Sequence, residues 1–137
     1  MHIEDAQAEI RHAYVGGGLG AIVSGLVWMV AAIVQYSHPV ATTFAVLFFG
    51  GMLIFPLSVL VENLFFKRKK PSPENMLGRI ALESTIMMIA MLLLAWLLVP
   101  VKPDWVLPIS AIAIGTHYLP FRSVYGDMLY WLLAALI

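Results

Sequence analysis

The placement of positive charge relative to long apolar runs constrains this chain more than any other feature. Read as a path that crosses a membrane and returns, Arg11, Lys67, Arg68, Lys69, Lys70, Arg79 and Arg122 fall on one side, and Lys102 alone falls on the other. Loops on the cytoplasmic side collect Lys and Arg, so the asymmetry assigns the N-terminus to the cytoplasm. The pattern predicts a multi-pass protein of a bacterial inner (cytoplasmic) membrane. Its expected fold class is all-α, a polytopic transmembrane helix bundle forming one domain over residues 1–137.

Composition narrows the function classes further. Of 137 residues, 61% are hydrophobic and 12% charged, far from the soluble norm, so lipid is the expected partner of most of the surface. A net charge of zero argues against nucleic acid. The run Lys67, Arg68, Lys69, Lys70 reads first as a topology anchor at the headgroups, with dedicated lipid recognition as the alternative. No Cys is present, which removes disulfides, thiolate metal sites and a Cys nucleophile. The acidic start of the chain does not read as a signal peptide.

A spanning helix needs about 20 mostly apolar residues. Four such segments are expected, at about residues 15–36, 42–66, 73–99 and 105–120, with an incomplete fifth at 123–137. Ahead of them, Ile3, Gln7, Ile10 and Tyr14 recur at helical spacing, which predicts an amphipathic lead-in over 3–14 lying along the surface. Thr42 or Thr43, Ser72 and Asp104 are the expected N-caps of the second, third and fourth spans, and Pro56 is expected to kink the second. The last run reaches only ~22 Å at 1.5 Å per residue against a core of ~30 Å. It predicts a natural chain that continues, or a partner that completes the segment.

Several strings occur together: Ala13-Tyr-Val-Gly-Gly-Gly18, Val23-Ser-Gly-Leu-Val-Trp28, Gly50-Gly-Met-Leu-Ile-Phe-Pro56, Leu77-Gly-Arg-Ile-Ala-Leu-Glu-Ser-Thr85, and Tyr118-Leu-Pro-Phe121 leading into Tyr125-Gly126. As a set they resemble a family of small bacterial integral membrane proteins known only as a domain of unknown function. The resemblance covers most of the chain and implies a C-terminally shortened member. It implies no activity, cofactor or catalytic residue. The string Gly17-Gly-Leu-Gly-Ala21 is similar to the opening of small bacterial fluoride channels, but the similarity ends there.

Two groups of residues are candidates for function. Gly16, Gly20 and Ser24 recur every fourth residue, with Gly25 beside them, and small residues on one face let another helix approach closely. They can pack within the chain or form a homo-oligomer or partner seam. Glu62, Asn63, Arg79, Glu83, His117, Arg122 and Asp127 all map to the cytoplasmic leaflet. Ionisable groups within a membrane are costly and so mark ion pairs or transport sites. The structural alternative is an Arg79–Glu83 pair at i, i+4 and an Arg122–Asp127 staple. Haem between His12 and His117 lacks a paired motif, and Met87, Met88 and Met91 face different sides of one helix. No cofactor or metal is expected. With no catalytic motif, the leading expectation is a non-enzymatic assembly or accessory subunit, either a homo-oligomer or part of a larger membrane complex. The alternative is a small transporter or channel using the cytoplasmic-leaflet cluster.

Overall fold

The computed structural model describes residues 2–137, and among them every regular element is helical. The chain opens with α1 (Ile3–Ala13), which carries Glu4 and Asp5 in its first turn and Arg11 and His12 in its last, matching both ends of the helix dipole. Its buried residues are Ala6, Ile10 and Ala13. The face expected from Ile3, Gln7, Ile10 and Tyr14 is therefore rotated: Ile10 is buried, whereas Ile3 is exposed.

A tight turn over Val15–Gly17 then redirects the chain into α2 (Gly18–Gln35). All three turn residues have positive φ, at 50°, 63° and 75°. Glycine takes such angles without a Cβ penalty, so Gly16 and Gly17 make the corner cheap, while Val15 is strained there. A short turn leads from α2 into α3 (Val40–Val61), whose C-terminal end widens into a π-helical turn over Glu62–Phe66. The helices α2 and α3 run antiparallel and close together. A Cβ on Gly50 would lie 2.7 Å from Val27 Cγ1, so the absence of a side chain there sets their separation.

The second hairpin pairs α4 (Leu77–Leu97) with α5 (Pro103–Tyr118), and two short helices follow, α6 (Phe121–Tyr125) and α7 (Leu129–Leu136). One core cluster holds Phe44, Leu92, Ala95, Val106 and Ala113, joining α3 to the second hairpin. The other sits at the α1 end and gathers Ala6, Ile10, Leu77, Tyr118, Val124, Tyr125 and Tyr130.

Three helices are long and apolar enough to cross a membrane: Val15–Gln35, Val40–Phe66 and Leu77–Leu97. The fourth and fifth expected spans are not among the helices of that length in the described residues. The fourth candidate, α5, has 16 residues, or ~24 Å at 1.5 Å per residue. The run 123–137 is not one helix, because Gly126 takes φ 68° and ends α6, and Asp127 Oδ1 accepts the Leu129 N–H at 2.9 Å to start α7.

The expected caps are also corrected. α3 begins at Val40 behind Pro39, with Thr43 buried inside it, and α5 begins at Pro103, which puts Asp104 within the first turn; neither helix has a side-chain cap. Ser72 caps nothing, since α4 starts at Leu77 and Ser72 is engaged by α1. Proline at a first helical position supplies the right φ and has no N–H to leave unpaired, which makes a hydroxyl cap unnecessary at α5.

Candidate functional site

The polar residues of the chain gather where α1 meets the 67–76 loop and the α6–α7 turn. Glu9 on α1 accepts hydrogen bonds from the Ser72 backbone N–H at 2.9 Å, the Ser72 hydroxyl at 3.1 Å and the Asn75 amide at 2.7 Å. Those bonds favour the ionised form and hold the Glu9 carboxyl below its ordinary pKa of 4.5. Asn75 also donates to the Ala6 carbonyl at 3.0 Å and accepts from the Leu77 N–H at 3.1 Å, so one buried amide ties α1 to the start of α4. On the other flank, Gln7 donates to the Ser123 carbonyl at 2.8 Å and Arg11 donates to the Tyr125 carbonyl. The Tyr130 hydroxyl closes the ring by donating to the Gly16 carbonyl.

This clamp escapes the sequence reading, which nominated none of Gln7, Glu9, Ser72 and Asn75 as site residues. Two signals pointed to it. Glu9 stands three residues after Ala6 and four before Ala13, an acid within the inward stripe of α1, and Asn75 directly precedes an apolar run in the manner of a helix-start residue.

The nominated cluster is dispersed. Glu62 is buried at 7% exposure in the π-turn. Asn63, Arg79, Glu83 and Arg122 are exposed. The guanidinium of Arg122 lies 4.9 Å from the centre of the Trp131 ring, and its Nε donates to Met128 Sδ at 3.3 Å, while Asp127 is occupied at the start of α7. The two therefore serve separate partners instead of stapling the turn.

His117 is half-buried, with its ring edge-on to Phe121 at 4.7 Å between centroids. Ser84 Oγ stands 3.0 Å from its Nδ1 and donates to its backbone carbonyl at 2.9 Å. The Ser84 hydroxyl is thus within hydrogen-bond reach of both the ring and the backbone carbonyl of His117, which ties α4 to the end of α5. His12 sits elsewhere, 2.9 Å from Arg68, so the two histidines are not brought together. Among the described residues no three His, Asp or Glu side chains are grouped to hold a metal.

The small residues divide as well. A Cβ on Gly20 would meet Ser58 and Ile54 at 3.8 and 3.9 Å, and Ser24 is buried, so both face α3 within the chain. Gly25 faces outward with nothing within 4 Å of its Cβ position, and Gly16 belongs to the left-handed turn.

All-helical architecture, three helices of membrane length and a polar clamp at one end define a small helical protein of membrane type. The model of a family of unknown function, DUF7010, matches residues 3–137, and the chain belongs to that family. No curated protein and no solved structure matches the chain.

Proposed function

We propose that this protein is a non-enzymatic, integral inner-membrane protein with a cytoplasmic N-terminus, and that it acts by assembly through the outer face of α2 with a second copy of itself. The observation that carries this reading is a stripe on α2 formed by Gly18, Ile22, Gly25 and Met29. All four are exposed, and no atom of the chain lies within 4 Å of a Cβ built on Gly18 or Gly25. Small and large residues alternate along the stripe at coiled-coil spacing, so each bulky side chain of one copy has a glycine gap to enter on the other. Lipid supplies no hydrophobic drive for that contact; close backbone approach supplies it instead. A glycine inside a helix costs about 1 kcal/mol relative to alanine, which close packing between copies would offset.

The transport reading has less support. Its residues do not converge, since Arg79, Glu83 and Arg122 are exposed while Glu62 and His117 have separate surroundings. The test compares Gly25→Leu with Gly20→Leu by native mass spectrometry from lipid nanodiscs. Gly25→Leu should yield a folded monomer, and Gly20→Leu should lower thermal stability by wedging α2 from α3. A parent protein that is monomeric, or a Gly25→Leu protein that keeps the parent's oligomeric state, would reject assembly through this face.

A further inference from the structure

At the end of the bundle opposite α1, beside the α2–α3 turn, lies a groove of about 370 Å³ walled by α2, α3 and α5. Trp28, Ala31, Gln35, Tyr36, Thr43 and Leu47 line it with Leu107, and no Asp, Glu, Lys, Arg or His is among its described lining residues. Its volume falls in the range of small-molecule sites, ~300–1,000 Å³.

Thr43 is the anomaly in this wall. Hydroxyls in apolar helices ordinarily bond the carbonyl one turn back, and Ser58, Thr85, Ser110 and Thr116 all do so, to Ile54, Ala81, Val106 and Ile112. Thr43 is 1% exposed, and its Oγ1 is the buried side-chain polar atom left without a partner among the described residues. One turn back stands Pro39, whose carbonyl is already taken by the N–H groups of Thr42 and Thr43. An unpaired buried hydroxyl is destabilising, and valine would fill the same space without that cost. Threonine in a helix populates two χ1 rotamers about 120° apart, and a switch of rotamer is the movement by which the hydroxyl would reach the groove.

We propose that this groove binds the head of an uncharged amphiphile of the quinone type, with a ring oxygen accepting a hydrogen bond from Thr43 and the ring lying against Trp28. The lack of charge in the lining disfavours a phospholipid headgroup, which would be stripped of water with no ion partner. The Gln35 side chain at the rim can donate to the second oxygen. Apolar walls from Ala31, Leu47 and Leu107 suit the remainder of the ring and the first part of a tail.

The test uses the full chain in phosphatidylcholine nanodiscs with Trp96→Phe, Trp105→Phe and Trp131→Phe, which leaves Trp28 as the sole tryptophan, excited selectively over tyrosine. A benzoquinone with a ten-carbon tail should quench Trp28 saturably. Thr43→Val should weaken that binding about tenfold, the loss expected for one hydrogen bond, while leaving thermal stability equal or higher. Ala31→Leu should fill the groove and remove saturation. Dioleoylglycerol in competition separates the alternatives, and the quinone-type reading predicts little displacement. Linear, unsaturable quenching, an unchanged Kd in Thr43→Val, or full displacement by dioleoylglycerol would overturn the proposal. These outcomes are independent of oligomeric state, because the stripe that carries the assembly reading does not include Thr43.

Discussion

Asn75→Ala should release α1 from the bundle, and the size of the effect follows from the bonds that Asn75 makes. Its amide donates to the Ala6 carbonyl at 3.0 Å and its side-chain oxygen accepts from the Leu77 N–H at 3.1 Å, both in buried surroundings. Of these two bonds only the one to Ala6 crosses to α1, since the bond to Leu77 is local to the start of α4; at about 1 kcal/mol net, its loss weakens the docking of α1 by that amount, without counting the bond to Glu9. At about 1.4 kcal/mol per tenfold, local opening becomes roughly fivefold more frequent. Hydrogen exchange resolved along the chain measures this directly. Amides of α1 should exchange roughly fivefold faster, while those of α2 and α3 should be unaffected, because local opening need not cost the whole fold. Unchanged α1 exchange would refute the clamp. Equal acceleration in α1, α2 and α3 would show that Asn75 supports the entire bundle and not the docking of one helix.

Glu9 adds a pH dependence to the same docking. Because its folded pKa lies below the ordinary 4.5, its stabilising effect is fully present above that value and is lost as pH falls through the folded pKa. Protection of α1 should therefore hold steady from neutrality down to about 4.5 and fall below it, with that dependence removed by Glu9→Gln. Gly17→Ala should destabilise by at least about 1–2 kcal/mol in thermal unfolding, since φ is 75° and the added Cβ would collide with Tyr130 and Tyr125. Tyr130→Phe should cost about 1 kcal/mol by the same assay, through loss of the bond to the Gly16 carbonyl.

The positions of α2, α3 and α4 were legible in the sequence because a membrane-length apolar run leaves the backbone no choice but helix. The corner at Val15–Gly17 is legible only as glycines, and the spacing of Gly16 places it on a packing face; the positive φ of Gly16 and Gly17 makes them the corner between α1 and α2. The clamp was hidden for a different reason. Its partners are far apart in the chain, with Glu9 meeting Ser72, Asn75 meeting Ala6 and Gln7 meeting Ser123, and local periodicity cannot report such pairs. Ser72 shows how this misleads. Its position ahead of a proline and an acid has the form of a helix cap, but the carboxylate of Glu9 takes both its N–H and its hydroxyl, so α4 starts five residues later. The charges at one end of the bundle were likewise readable as a layer but not as groups, because depth along a helix says nothing about the face on which Arg79 or Glu83 stands.

The central claim is that the outer face of α2 meets the same face of a second copy, and a single introduced thiol tests it most directly. The chain has no cysteine, so Ile22→Cys places one thiol per molecule in the middle of the proposed seam. A disulfide requires Cα atoms within about 7 Å, which a seam built on glycine permits and chance encounter in a membrane does not sustain. Mild oxidation in native membranes should convert most of the Ile22→Cys protein to a covalent dimer and leave Ile86→Cys, on the exposed face of α4, monomeric. No cross-link at position 22, or equal cross-linking at 22 and 86, would contradict the account.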